Sequence, residues 1–433
     1  MKRSTIALLF CCLLSFGLQA QKVVRGIVQD KEKEPIPFAH IILGNTTDGT
    51  FANEEGYFSL TIPESFQGEL RFTAAGYNNY LVPVDKLKDG EMLKIRMEMS
   101  VIELTEVVVT PDDMRHVIRE AIRKIPENYH DFPLKLNGFF RGITTINEQY
   151  AEYTEAILDI YEQPIQVGND KNQYKVIKAR SFADSLRLEG FGEDPDSLDF
   201  DAASPHEMLD TDLVRNRGKV LDEEVQNRFI MFLDSSFLDY YHFEFERMTT
   251  YQGRSAMLIN FSPRWKVDRG MFTGQILLDE ETKAFAMLDF EVPKRYLKKV
   301  IPIRGLGKLA MGAAMRLFFS VGLDFKLKKI EGRTEYQMVN GKWYPKYIKH
   351  DFLMYLKVKY AKEDINIDSN FGVRNELFVL SAQADGVEEI PEEERLKKNE
   401  SIKKYMDNED TEFWKRYNVV SPTKDITEMT GEF

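Results

Sequence analysis

The chain has 433 residues, with 58 Lys and Arg against 70 Asp and Glu, two Cys and 43% hydrophobic residues. This is a globular composition, and at roughly 100–200 residues per domain it allows two or three domains, each with its own core. A net charge of -12 repels phosphate backbones and no basic patch is strong enough to offset it, which argues against nucleic acid as a partner.

Lys2 and Arg3 precede an apolar run at 6–18, and Ala20 precedes Gln21, the layout of a secretory signal cleaved after Ala20. The run is too short to span a bilayer. Cys11 and Cys12 both lie inside it, so a chain beginning at Gln21 has no thiol, and disulfides, Cys nucleophiles and Cys metal sites are excluded together. Cys11 follows Phe10 rather than a small residue, which argues against lipid attachment. The expectation is a signal peptide at 1–20 and an exported protein of the periplasm or outer membrane.

From 23 to 109 the chain runs in short apolar stretches, at 23–28, 38–43, 57–62, 70–74, 80–84 and 93–99. Pro35 and Pro37 interrupt pairing, while Gly44-Asn45, Asp48-Gly49, Glu55-Gly56 and Gly76 supply turn residues. Tyr57, Ser59 and Thr61 alternate with Phe58, Leu60 and Ile62, so one face of that strand is expected in the core. Six or seven short strands in under a hundred residues predict a β-sandwich.

The segments Gly26-Ile-Val-Gln-Asp, Pro35-Ile-Pro-Phe-Ala-His-Ile-Ile-Leu, Thr50-Phe-Ala-Asn-Glu-Glu-Gly-Tyr-Phe-Ser-Leu and Phe72-Thr-Ala-Ala-Gly-Tyr resemble, in this order, the carboxypeptidase-regulatory-like domain. The resemblance implies a transthyretin-like fold over residues 21–110, a docking module without catalytic residues, and a setting in envelopes of the Bacteroidetes type. The stretch Glu103-Leu-Thr-Glu-Val-Val-Val-Thr-Pro111 is similar to the segment that engages the energy-transducing partner in TonB-dependent receptors. Glu106, Val107, Val108 and Val109 are therefore a candidate partner segment, with a last β-strand or an extended linker as the plainer reading. A receptor barrel does not fit into the residues after Pro111.

A domain at 111–387 opens with a helix: Asp112 and Asp113 suit its first turn, Met114, Val117, Ile118, Ala121, Ile122 and Ile125 recur at helical spacing, and Pro126 ends it. Arg115, Arg119 and Arg123 form its basic outer face. His116 and His130 flank it without a carboxylate at ligand spacing and read as surface residues. Ten strands are then predicted, at 136–146, 150–161, 174–182, 242–249, 256–261, 272–278, 284–292, 325–338, 343–358 and 375–382. Gln252-Gly253, Glu280 to Lys283 and Asn340-Gly341 supply hairpin turns, predicting one large antiparallel meander. The fold class is mainly β: a transthyretin-like sandwich, then an α+β domain with a large antiparallel sheet. Phe272-Thr-Gly-Gln-Ile-Leu-Leu-Asp279 with Ala284 to Phe290 beyond the turn, and Gly341-Lys-Trp-Tyr-Pro345 leading into a long strand, faintly resemble the hairpins of the half-barrel sheet of lipoprotein carriers, which implies a curved, lipid-handling sheet; a plain sheet packed under helices is the other reading.

Residues 301–323 carry Gly305, Gly307 and Gly312 among apolar side chains. Leu306, Lys308, Leu309, Met311, Met315, Arg316, Phe318 and Phe319 are candidate contacts to lipid or a partner, or else a helix covering the sheet. The acidic run 193–201 lacks the spacing of a calcium loop and reads as solvated. No His-Glu-x-x-His, His-x-x-Glu, Gly-x-Ser-x-Gly or phosphate-cradling glycine motif occurs. A charged, helical tail is expected at 388–433, with Phe413-Trp414-Lys415-Arg416-Tyr417 docking back on the body or serving as a partner peptide. The functional expectation is a non-enzymatic envelope binding or assembly factor with an N-terminal docking module and a large sheet holding a lipid-like or peptide ligand, with no metal or cofactor, an outer-membrane or periplasmic protein partner and contact with lipid or a membrane surface; the alternative is a hydrolase of envelope glycans or peptides whose carboxylates meet only in three dimensions.

Overall fold

The computed structural model describes residues 22–165 except 89, 91 and 101–110; 172–184; 229–264 except 231; 269–300; 323–397 except 361–364; and 400, 402–407, 413–414, 417 and 420–424. The candidate signal at 1–20, the partner segment at 106–109, the acidic run at 193–201 and the candidate contacts at 306–319 lie outside them. Two compact units emerge: the first holds residues up to Ala74, then 79–98 and 412–421, and the second holds 75–78, 99–411 and 422–433.

The first unit contains β1 (Lys22–Gln29), β2 (His40–Leu43), β3 (Gly49–Phe51), β4 (Tyr57–Ile62), β5 (Glu69–Thr73), β6 (Tyr80–Pro83) and β7 (Met92–Arg96). They form two sheets, β4-β1-β7, with β1 and β7 parallel, and β3-β2-β5-β6. Phe58, Leu60 and Ile62 are buried as their alternation predicts. The Phe58 ring meets Phe72 of the other sheet edge to face at 5.5 Å, an interlock between the layers. Before β4, the Asn53 carboxamide accepts from the amides of Glu55 (3.0 Å) and Tyr57 (2.9 Å), and Gly56 takes φ +79°, so the turn needs these residue types. In the tail, Trp414 is buried within this unit.

The second unit opens with α1 (Pro111–Arg123) and α2 (Ile125–Asn128), followed by β8 (Leu134–Ile146), β9 (Gln149–Glu162) and β10 (Gln173–Ala183). After β11 (Phe229–Ile230) come β12 (Tyr241–Tyr251), β13 (Arg254–Pro263), β14 (Gly270–Met271), β15 (Thr273–Asp279), β16 (Phe285–Glu291), α3 (Lys294–Val300), β17 (Leu323–Val339), β18 (Lys342–Tyr360) and β19 (Ile365–Gln383). The ten predicted strands all exist and all join one open antiparallel sheet, β10-β9-β8-β19-β18-β17-β16-β15-β13-β12. It is two meanders rather than the single one expected, because β8 pairs with the last strand and the chain passes from the β10 edge to the β12 edge. The turns follow the sequence: Gln252-Gly253 and Asn340-Gly341 have positive φ at both central residues, as does the unpredicted Asn147-Glu148.

Met114, Ile118 and Ala121 of α1 and Ile125 of α2 share a core with Phe243, Ile259, Ile276 and Leu288. A second core on the same sheet face joins Phe140, Leu158, Val176, Leu377 and Val379 to Leu396 and Ile402 from the segment after β19. The predicted exposed helix after 388 is instead, among the described residues, a strap with two single 3-10 turns, Glu392–Glu394 and Ile402–Tyr405. Its backbone bonds to β10, from the Leu396 amide to the Tyr174 carbonyl at 2.7 Å and from the Asp407 amide to the Ala179 carbonyl at 2.8 Å. Covering this edge shields groups that would otherwise template pairing with another chain. Among the described residues no helix is long and apolar enough to cross a membrane.

Candidate functional site

In every strand of the large sheet, two consecutive residues point to opposite faces. Tracing one residue per strand from β10 to β12 gives Ala179, Ala156, Phe140, Leu377, Ile348, Thr334, Leu288, Ile276, Ile259 and Phe245 as successive cross-strand partners. Apart from Thr334 this row is apolar, and it lies on the face covered by α1 and the strap. Their sequence neighbours make the opposite row: Arg180, Glu155, Arg141, Glu376, Lys349, Arg333, Asp289, Gln275, Asn260 and Glu244. One polar residue per strand thus crosses the whole sheet.

At the β10 end the row is sealed from water: Glu155 is 0% exposed, Glu376 2%, Arg141 3% and Arg180 4%. Glu155 accepts from Arg180 Nε at 2.7 Å, from Arg141 Nη2 at 3.2 Å and from the Tyr153 hydroxyl. Arg141 Nη1 lies 4.0 Å from Glu376, which accepts from the Tyr347 hydroxyl at 2.6 Å. The rings of Phe139, Tyr153 and Phe378 surround the Arg141 guanidinium at 5.2, 5.6 and 5.9 Å. Burial would raise the pKa of Glu155, but Arg180 and Arg141 hold it below the ordinary value; burial keeps the Tyr153 and Tyr347 hydroxyls protonated. Two arginines and two glutamates neutralise one another, which is how charges persist away from water.

Toward the centre, Lys346 sits in a β-bulge of β18 and reaches Glu335 at 3.1 Å, while the Tyr251 hydroxyl donates to the Tyr336 carbonyl at 2.8 Å. Burial opposes the Glu335 charge, yet Lys346 and Arg333 hold its pKa down. Arg333 also binds Asp289 through Nε at 3.0 Å. Beyond Asp289 the row opens. Gln275 Nε2 donates to Asn260 Oδ1 at 3.0 Å, and Asn260 Nδ2 to Glu246 at 2.9 Å. A groove of about 510 Å³ lies over Asn260, Ser262, Thr273, Gln275, Asp289, Glu291 and Glu331, with Phe261 and Phe290 also in its lining. Glu291 and Glu331 face each other as like-charged cross-strand partners on its floor.

The arrangement suits hydrogen bonding better than proton transfer. Glu155 and Glu376 both reach one arginine, and a glycosidase acid needs a raised pKa where Glu155 has a lowered one. Burial pushes His350 down to about 4, so it is neutral near pH 7. No group of three or more His, Asp or Glu among the described residues could hold a metal.

The residues singled out from sequence as contacts, at 106–109 and 306–319, lie outside the described residues. His116 is exposed as expected, but His130 is not a surface residue: it is 1% exposed, with Nε2 3.5 Å from Glu162 and Nδ1 2.9 Å from the Phe132 carbonyl. The polar row has a weak sequence signal, the charged position next to an apolar one in Phe140-Arg141, Glu155-Ala156 and Glu376-Leu377.

No curated protein matches the chain in sequence. Among solved structures it is similar to a putative outer membrane lipoprotein-sorting protein domain from Vibrio parahaemolyticus, at 9% identity and TM-score 0.22, over 64% of this chain and 94% of that one. A DUF1329 family protein from Desulfovibrio piger gives 9% and 0.22, over 65% and 96%. A LolA superfamily protein from Nitrosomonas europaea gives 8% and 0.18, over 65% and 97%. At these scores the likeness carries no inference about this chain. Residues 24–109 match the family model of the CarboxypepD_reg-like domain, and the N-terminal sandwich is therefore a carboxypeptidase-regulatory-like domain.

Proposed function

We propose that this chain is a non-enzymatic, exported binding or assembly factor of the cell envelope, whose N-terminal domain docks to an envelope protein and whose large sheet holds an extended peptide segment on its polar face. The observation that carries this reading is the polar row itself, neutralised and sealed at one end and opening into a groove at the other. The groove's volume falls within the roughly 300–1,000 Å³ of ordinary ligand sites. Its amides and carboxylates can exchange hydrogen bonds with a peptide backbone, whereas an acyl chain would strip their water and gain contact only with Phe261 and Phe290. This favours the peptide over the lipid ligand. Leu306, Lys308, Leu309, Met311, Met315, Arg316, Phe318 and Phe319 are in this reading a contact to lipid or the partner, and Glu106, Val107, Val108 and Val109 extend the docking module. The hydrolase reading would need a carboxylic acid that the Arg141 network does not provide.

The test is to purify the full exported chain from its native membranes and analyse lipids and co-purifying proteins in the same sample. Sub-stoichiometric lipid with a reproducible protein partner is expected, and recovery of that partner disappears when residues 21–111 are deleted. Stoichiometric acyl lipid would overturn the peptide reading; partner recovery unchanged by the deletion would overturn the docking role.

A further inference from the structure

A second site lies on the other side of the second unit and has no part in the polar row. The outer face of α1 carries His116, Arg119 and Arg123, which border a cavity of about 900 Å³ together with Ser235 and Ser236. Residues three and four apart are neighbours on a helix surface, so these three side chains form one patch, and Arg119 with Arg123 is a like-charge pair that disfavours the helix when left alone. Elsewhere the same helix and its flank pair their cations: Arg115 with Asp239 at 2.9 Å and Lys124 with Glu120 at 3.3 Å. Arg119 and Arg123 have no such partner among the described residues. Glu120 also borders the cavity, but its carboxylate is engaged by Lys124. Across the cavity, Asp234 accepts the Ser236 amide and hydroxyl at 2.8 and 2.7 Å and so holds the turn that presents Ser235.

We propose that this cavity binds a phosphate group, carried either by a small soluble molecule or by an anionic lipid headgroup. Guanidinium groups present forked donors matched to phosphate oxygens, and Ser235 and His116 add neutral donors, while the Ser236 hydroxyl is committed to Asp234. A chain with net charge -12 repels anions in general, so two adjacent unpaired arginines at a cavity mark a local exception with something to hold. The volume exceeds a bare phosphate and leaves room for the group that carries it.

The experiment titrates the full exported chain with inorganic phosphate by calorimetry, and separately measures its co-sedimentation with phosphatidylcholine vesicles with and without phosphatidic acid. The double variant Arg119→Gln/Arg123→Gln is compared with Lys86→Gln/Lys94→Gln, which removes the same charge from the first unit. Both arginines are exposed, so the fold is expected to tolerate the change, checked by unaltered thermal unfolding. Binding weakened roughly tenfold or more in the arginine variant and unchanged in the lysine variant is expected. A response to inorganic phosphate assigns a soluble ligand, and a response confined to phosphatidic acid vesicles assigns a headgroup. No binding in either assay, or equal loss in both variants, would overturn the site.

Discussion

Glu155 and Gln275 occupy the same cross-strand row on the same face of the same sheet, yet one is inaccessible and bound by two arginines and a tyrosine while the other sits under an open groove. Strand alternation places both residues on that face but does not set their chemistry. At the β10 end, exclusion of water makes every charge depend on a fixed counter-charge, so the side chains have no capacity left for a ligand. At the β13–β15 end, water competes, the bonds run from amides to an amide and to the Glu246 carboxylate, and the groups can be handed to an incoming chain. In the proposed reading the sealed end is a frame and the open end is the place to bind.

That contrast breaks most readily at the sealed end. Arg141→Met leaves Glu155 and Glu376 short of their shared counter-charge and is expected to cost about 3–5 kcal/mol, read by denaturant unfolding. A cost near zero would mean that the network is better hydrated than its burial implies. Acid probes the same strands from the other face. His350 is neutral in the fold with its pKa near 4, against about 6.5 when unfolded, so protonation favours unfolding. Stability is full above pH 6.5 and falls by about 3 kcal/mol as the pH drops to about 4, and His350→Gln flattens that window. A further loss begins below about 4.5, where Glu155 and Glu335, whose folded pKa values are depressed, start to bind protons in the unfolded chain.

Smaller effects sharpen the comparison. Tyr347→Phe removes one hydrogen bond to Glu376 and is expected to cost about 1–3 kcal/mol. At the open end Gln275→Ala is expected to change stability by no more than about 0.5 kcal/mol while reducing recovery of the proposed peptide ligand. A Gln275 variant that unfolds like Arg141→Met would erase the distinction between the two ends.

The strands and most of their turns were legible because they depend on local alternation and on residues that accept positive φ, such as Asn340 and Gly341. The join of β8 to β19 was not, since it pairs residues such as Arg141 and Glu376 that no local pattern connects. For the same reason each member of the polar row reads alone as the outward position of its strand. The strap misled through its charges: Ile390, Leu396 and Ile402 recur every six residues rather than at helical spacing, and Pro391 biases the residue before it toward an extended backbone. His130 read as a surface residue because its partner Glu162 lies at the far end of a hairpin.

The most direct test of the central claim is a photo-crosslinking residue placed at Gln275 in the full chain, irradiated in native membranes, with the same residue at Lys283, in the turn beyond β15, as control. The account predicts a discrete protein adduct from position 275 and none from 283. A lipid adduct at 275, or identical adducts from both positions, would contradict it.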